Sequence, residues 1–257
     1  MERRRIVAMG GGGFGSSPGD PALDQYVLDV SGATTPRICL LPTASGDPEE
    51  QIHRFYRAYE ARDCDPTHVS LFRMGSRPID LRELLLGQDV IYAGGGSMLN
   101  LIAIWRAHGL DEILREAWER GIVLCGISAG SMCWFEAGVT KSFGSPRPAA
   151  GLGFLRGSNS VHHHSEPDRR PCFVEAVRTE ELPPGYGVDD GVGILFGGID
   201  FIEAVSARPA AGAWWVDAGG EERLETVELE QPAHDAPDDV SIEEFRAERL
   251  RAFGTGR

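Results

Sequence analysis

A chain of 257 residues, of which 42% are hydrophobic and 25% charged, is long enough to bury a substantial core in one globular domain. Its formal net charge of −14 argues against a nucleic-acid partner, because binding to phosphates requires a basic surface. No apolar run approaches the length of a membrane span, and no apolar signal segment follows residues 1–5. We therefore expect a cytoplasmic protein that has no membrane partner.

The cysteines are few and scattered, and none shares a C-x-x-C spacing with another: Cys39, Cys64, Cys125, Cys133 and Cys172. This pattern predicts neither a disulfide framework nor a zinc site. It is typical of a protein in a reducing compartment, which agrees with the expected cytoplasmic location.

Predicted strands alternate with helices over the first half of the chain; the strands are residues 5–9, 37–41, 67–72, 89–93 and 122–125. Helices are predicted from Pro21, with Asp20 as the N-cap, over about 47–62, after Ser97, and over 111–120. The strands are continuous apolar runs, which is typical of a parallel sheet covered by helices on both faces. We therefore predict an α/β fold with a mostly parallel sheet.

The second half of the chain has a different pattern, with short β segments at 192–196, 201–205 and 213–216. These segments are predicted to extend the same sheet or to add an antiparallel edge. An acidic loop is predicted over about 219–239, with its last part, 232–239, mobile, and a terminal helix over about 241–253. No repeat or linker divides the chain, so we predict a single domain over residues 1–257.

A serine in a glycine-flanked turn follows the fifth predicted strand. Residues 126–130 read G-I-S-A-G and lead directly into a helix. In a nucleophile elbow, this strand–turn–helix arrangement lifts the serine hydroxyl clear of the backbone at the positive end of a helix dipole. Ser128 is therefore a candidate nucleophile. The alternative is a plain serine N-cap between two closely packed glycines.

A nucleophilic serine needs a base and an acid that orients it. Three of the seven histidines are consecutive, at 162–164, and two acids are adjacent at Asp189 and Asp190. The order Ser128, His162, Asp190 differs from the Ser, acid, His order of α/β-hydrolases, so an ordinary α/β-hydrolase is not expected. The histidine run has a solvated loop as its alternative. A three-histidine metal site is disfavoured, because adjacent residues of an extended segment point to opposite faces.

Acyl transfer also requires backbone amides that stabilise an oxyanion. The amide of Ala129 and that of Gly95 or Gly96, after the fourth strand, are the candidates, and a simple tight turn is the alternative role of these glycines.

A glycine run at 10–15 formally matches the dinucleotide fingerprint G-x-G-x-x-G. The match is weak, because no helix begins directly after it and no acid follows the second strand. A glycine turn that lines the cleft is favoured instead.

With these motifs, the chain resembles the peptidase E family of serine peptidases, which includes aspartyl dipeptidase and cyanophycinase. The resemblance rests on G-G-G-S at 94–97 and G-I-S-A-G-S at 126–131, and it extends to about Val216. Ser97 stands where the family usually has Asn. The resemblance implies a class I glutamine amidotransferase-like fold with serine in place of the elbow cysteine. It also implies a triad of Ser128, His162 and an acid near Asp190; His163, His164 and Asp189 stay open as alternatives.

These residues predict hydrolysis of a small peptide or amide through an acyl-enzyme, with no metal or organic cofactor. Arg169 and Arg170 are candidates for binding a substrate carboxylate, and surface solvation is their alternative role. An amidotransferase-like enzyme, a non-catalytic small-molecule-binding protein and a dinucleotide-dependent oxidoreductase are the competing functions. The sequence leaves a homodimer open.

Overall fold

The computed structural model describes residues 4–16, 19–75 and 79–231. Its β-strands are β1 (Arg5–Met9), β2 (Arg37–Leu41), β3 (Asp65–His68), β4 (Val90–Ala93), β5 (Val123–Ile127), β6 (Phe135–Phe143), β7 (Ser145–Ala150), β8 (Leu155–Val161), β9 (Gly185–Val188), β10 (Val192–Gly197), β11 (Asp200–Ser206), β12 (Ala213–Asp217), β13 (Gly220–Arg223) and β14 (Thr226–Glu228). Its α-helices are α1 (Pro21–Ser31), α2 (Glu49–Glu60), α3 (Leu81–Leu86), α4 (Met98–Ala107), α5 (Leu110–Glu119), α6 (Ala129–Met132) and α7 (Arg169–Arg178).

The larger of two sheets has the strand order β14-β11-β10-β1-β5-β4-β2-β3. The strands from β1 to β3 in this order pair in parallel, whereas β10 runs antiparallel to both β1 and β11. The α/β prediction is therefore confirmed, and β10 and β11 extend this sheet as predicted. The third strand ends earlier than predicted, because a single 3-10 turn at Leu71–Arg73 follows the edge strand β3.

The central strands are apolar throughout because both faces of this sheet are covered. In β1, Ile6 and Ala8 belong to the core on one face, and Val7 and Met9 belong to the core on the other. Helices α4 and α5 cover the first face with Trp105 and other apolar residues, and α1 and α2 cover the second. Alternate residues of a strand thus enter two different cores, which explains the continuous apolar runs.

A second, six-stranded sheet follows the order β13-β12-β9-β8-β6-β7, with α7 packed against it. Residues 213–216 were expected in the first sheet, but they form β12 of the second sheet, where Trp214 pairs with Gly187 and Val216 with Gly185. The expectation was wrong because apolar character identifies a strand without specifying which strand it pairs with.

The acidic segment is only partly a loop, because β13 and β14 lie within residues 219–231. Its remainder at 232–239 and the terminal helix predicted at 241–253 lie outside the described residues. The single domain stays a prediction. Within the described ranges, no helix is both long enough and apolar enough to span a bilayer.

Candidate active site

Ser128 occupies a strained turn between β5 and α6. Its φ of 55° and ψ of −113° are unfavourable for a residue with a side chain. Its amide donates to Met9 O at 3.0 Å, and its carbonyl accepts from Met132 N–H at 3.0 Å. The residue therefore ends the strand pairing and begins the helix at the same point, which is the geometry of a nucleophile elbow.

The two glycines of the elbow are required by close backbone contacts. A Cβ on Gly126 would lie 2.0 Å from Gly130 O, and a Cβ on Gly130 would lie 2.2 Å from Ala93 O. Helix α6 therefore packs directly against the ends of β5 and β4. The G-x-S-x-G spacing is thus required by this close packing, because a side chain at either glycine would overlap backbone atoms.

The structure brings Ser128, His162 and Asp190 together in one hydrogen-bonded chain. His162 Nε2 lies 2.9 Å from Ser128 Oγ, and His162 Nδ1 lies 2.5 Å from Asp190 Oδ1. When Nδ1–H donates to the carboxylate, Nε2 presents its lone pair to the serine hydroxyl. The arrangement can remove a proton from Ser128 and hold the ring in the tautomer that this requires.

Asp190 is held in its ionised form. The hydrogen bond from His162 lowers the pKa of this carboxyl below its usual range, although burial acts in the opposite direction. The positive charge of Arg208 also contributes to the lowering. Arg208 was not among the predicted site residues, because it follows β11 and its place beside the acid depends on tertiary contacts.

Arg208 is itself fixed by Asp20, whose carboxylate accepts two hydrogen bonds from the guanidinium at 2.7 and 2.8 Å. Asp20 also accepts a hydrogen bond from the amide of Gly13 at 3.0 Å. Asp20 occupies the N-cap position of α1 as predicted, but its side chain makes no capping hydrogen bond to that helix. Its carboxylate instead links the N-terminal loop, through the amide of Gly13, to Arg208, the arginine that helps to lower the pKa of Asp190.

The glycine run after β1 lies against the triad. Gly11 O accepts from Gly191 N–H at 2.8 Å. A Cβ on Gly11 would lie 1.9 Å from Asp190 Oδ1 and 2.9 Å from His162 Cε1. The run is thus a turn that lines the site, which is the role that the sequence favoured over a dinucleotide fingerprint. The contact of Gly11 with Asp190 was not predicted from the sequence.

The loop after β4 places Gly95 beside the serine. A Cβ on Gly95 would lie 3.4 Å from Ser128 Cβ, whereas Gly96, at φ 141°, packs against Ala44 O. The amides of Gly94 and Ser97 donate to Leu41 O and Ala44 O. The amides of Gly95 and Gly96, which lie between these two residues, have no hydrogen-bond acceptor in the described part of the chain. Together with the amide of Ala129 at the start of α6, they remain the predicted donors to an oxyanion.

The other two histidines of the run pair with other acids. His163 Nε2 lies 2.7 Å from Glu221 Oε1, and His164 Nδ1 lies 2.8 Å from Asp189 Oδ1. The three adjacent rings thus contact three different carboxylates. Of the alternatives left open by the sequence, the structure brings His162 and Asp190 to the serine. Across residues 4–16, 19–75 and 79–231, no cluster of three or more His, Cys, Asp or Glu side chains could hold a metal ion.

Arg169 and Arg170, the predicted carboxylate-binding residues, are already paired. The buried Arg169 donates to Val139 O at 2.6 Å and forms an ion pair with Glu166 at 3.0 Å. Arg170 donates to Glu221 Oε2 at 2.7 and 2.9 Å. These contacts contradict a surface position for Arg169, and they favour a structural role over substrate binding for both side chains.

Similarity to known proteins identifies the family of this chain. The profile of peptidase family S51 matches residues 6–203. An uncharacterised peptidase of Bacillus subtilis strain 168, YgaJ, is 47% identical over 213 residues, which cover 83% of this chain and 92% of that protein. The chain belongs to peptidase family S51. The predicted membership of the peptidase E family is thereby confirmed, and this S51 protein is a serine-type peptidase.

Two crystal structures show the same fold as this S51 peptidase. A peptidase from an acI-B1 actinobacterium superposes with a TM-score of 0.66 over 89% of this chain and 96% of its own, at 16% identity. A candidate peptidase E from Listeria monocytogenes EGD-e superposes with a TM-score of 0.56 over 77% of this chain and 96% of its own, also at 16% identity. The mixed α/β architecture is therefore shared with peptidases.

Proposed function

We propose that this S51 peptidase cleaves small peptides or related amides through an acyl-enzyme on Ser128. The observation that carries the proposal is the chain of contacts from Ser128 Oγ through the His162 ring to Asp190, at 2.9 and 2.5 Å. A serine, a base and an orienting acid in this order form the arrangement by which serine hydrolases activate a hydroxyl.

His162 takes the proton of Ser128 as Oγ attacks the carbonyl carbon, and it then gives that proton to the leaving amine. Asp190 holds the ring and stabilises the imidazolium that forms. The amides of Ala129 and of Gly95 or Gly96 bind the oxyanion, and loss of one such donor raises the barrier by about 3 kcal/mol. Water then attacks the ester, with His162 as the base, and releases the acid product.

A fluorophosphonate probe tests the nucleophile, because it reacts with an activated serine and leaves an adduct that mass spectrometry locates. We expect one adduct, on Ser128, in the folded protein and none in Ser128→Ala or in heat-denatured protein. An unlabelled Ser128 in folded protein would overturn the mechanism.

A panel of dipeptides, isoaspartyl peptides and other acidic peptides tests the substrate class. Wild-type protein is expected to release amino acids from some members of the panel, and Ser128→Ala from none. A labelled Ser128 together with an inert panel would contradict this substrate class, whereas an unlabelled Ser128 with an inert panel would favour the competing function of a non-catalytic binding protein. Glutamine hydrolysis is not expected, because amidotransferases of this fold use an elbow cysteine, and Cys125 is buried within β5.

The cytoplasm is the proposed location. All five cysteines lie in the described part of the chain, and all are unpaired thiols, which supports a reducing compartment. Fractionation of the source cells, followed by detection with an antibody, tests this location; recovery of the protein outside the cytoplasm would contradict it.

A further inference from the structure

The residue after the proposed base is anchored in the interior of the second sheet. The side chain of His163 is fully buried, and its Nε2 lies 2.7 Å from Glu221 Oε1 on β13. Its ring stacks on Trp214 of β12 with the centroids 5.4 Å apart. Its amide donates to Val188 O at 3.2 Å. The hairpin β12–β13 therefore contacts the active-site loop directly.

The hydrogen bond to Glu221 is the polar contact that holds this ring. Burial lowers the pKa of His163, so the ring is neutral at neutral pH. Burial alone would raise the pKa of Glu221, but hydrogen bonds from Arg170 and His163 lower it below its usual range. A neutral Nε2–H thus donates to a carboxylate. The other nitrogen, Nδ1, is buried and has no hydrogen-bond partner in the part of the chain that the structure describes.

The ring has little room to move in the direction of β9. A Cβ on Gly187 would lie 2.5 Å from His163 Cε1 and 2.6 Å from Nδ1. The ring therefore packs directly on the backbone of that strand, with the Trp214 ring stacked against it. Its position is set by this packing and by the bond to Glu221.

His162 depends on such an anchor because its own backbone is strained. Its φ of 53° lies in the left-handed region, which costs a residue with a side chain about 1 kcal/mol. On one side of it, Val161 is held by pairing with Val188 in the second sheet. On the other side, His163 is held by its buried ring.

We propose that His163 and Glu221 are positioning residues that hold His162 in reach of Ser128. The inference rests on the proposed function of His162 as the base. Glu221 lies beyond residues 6–203, the part of the chain that the family profile matches. The hairpin β12–β13 would thus act on catalysis through the position of His162.

Inactivation by a fluorophosphonate at increasing concentrations tests the proposal, because it separates the chemical rate, kinact, from probe binding, KI. In Glu221→Ala, the buried Nε2–H of His163 loses its acceptor and the loop shifts. We expect kinact to fall about 10- to 100-fold, the cost of displacing a reacting group by about 1 Å, with KI unchanged. Glu221→Gln keeps an acceptor oxygen for His163, so its kinact should stay within about threefold of wild type.

Two control variants separate this contact from general effects of charge. Arg170→Ala leaves the bond between His163 and Glu221 in place and should lower kinact only slightly. Glu116→Ala removes a carboxylate that also has two side-chain partners, the cations Arg82 and Arg120, on the outside of α5, and it should leave kinact unchanged. An equal loss in Arg170→Ala and Glu221→Ala would overturn the proposal, because the ion pair rather than His163 would then be responsible.

His163→Phe breaks the same bond from the other side while keeping a ring to stack on Trp214, so the test does not depend on Glu221→Ala folding. The same fall in kinact is expected. Wild-type kinact in a folded His163→Phe or Glu221→Ala variant would overturn the positioning role alone. Absence of labelling in the wild-type protein would instead overturn the proposed function together with this inference.

Discussion

The proposed nucleophile and the proposed base come from two regions that are held in place by different means. Ser128 lies at the end of a central parallel strand, where backbone hydrogen bonds and two glycines determine its position. His162 follows β8 of the second sheet, and long-range side-chain contacts surround it. A local motif can therefore define a nucleophile, whereas a base on a loop requires partners distant in the sequence.

The largest effect is expected from adding a methyl group to the elbow. In Gly126→Ala, the new Cβ would overlap Gly130 O, so α6 must move away from β5. We expect a loss of about 3 kcal/mol in the free energy of unfolding in urea, together with loss of probe labelling. Gly75→Ala is the matched control, since nothing lies within 4 Å of its added Cβ. A Gly126→Ala variant as stable and reactive as wild type would show that the backbone does not define the elbow.

Removal of the proposed base is expected to have the next largest effect. His162→Ala should lower the rate of labelling of Ser128 by about 10³-fold, because general base catalysis is lost. His164→Ala should change the rate less than about twofold, because the His164 ring pairs with Asp189 instead. A larger loss in His164→Ala than in His162→Ala would mean that the wrong ring had been assigned as the base.

A smaller effect is expected where the N-terminal loop meets the acid. In Gly11→Ala, the Cβ would overlap the Asp190 carboxylate and displace the acid and the ring that it orients. The labelling rate should fall about tenfold with little change in KI. Gly15→Ala, in the same loop, places its Cβ at an ordinary 3.4 Å from Ile127 and serves as the control. Equal rates for the two variants would remove Gly11 from the site.

The smallest effect concerns stability as a function of pH. Because the pKa of Asp190 is lower in the folded protein, its ionisation stabilises the fold above the unfolded-state pKa of about 3.9. This stabilisation is lost as the pH falls through the lower, folded-state value. The Tm of wild type should therefore exceed that of Asp190→Asn at pH 7, and the difference should shrink below about pH 4. A difference that grows on acidification would contradict the lowered pKa.

The elements of the first half could be predicted because each one is marked locally. The apolar runs of β1, β2, β4 and β5 follow from burial on both faces of the sheet. Ser97 is the N-cap of α4, and its side chain accepts a hydrogen bond from the amide of Asn100, as the sequence predicts. The second sheet was not predicted, because its strands β8 and β9 are partly polar rather than continuous apolar runs, with Gly and Ser in the sequences LRGSNSV and GYGV. Pairing partners, which the local pattern does not encode, decide such strands.

The elbow follows from the local amino-acid sequence alone. Strand, glycine, serine and helix are adjacent in the chain, and their close contacts allow one local geometry. Long-range contacts, by contrast, select which of three adjacent histidines contacts the serine and which of two adjacent acids contacts that histidine. They also pair Arg169 and Arg170 with Glu166 and Glu221. Neighbouring residues of the same type are equivalent in a sequence. They become different when the backbone directs each ring to a separate carboxylate.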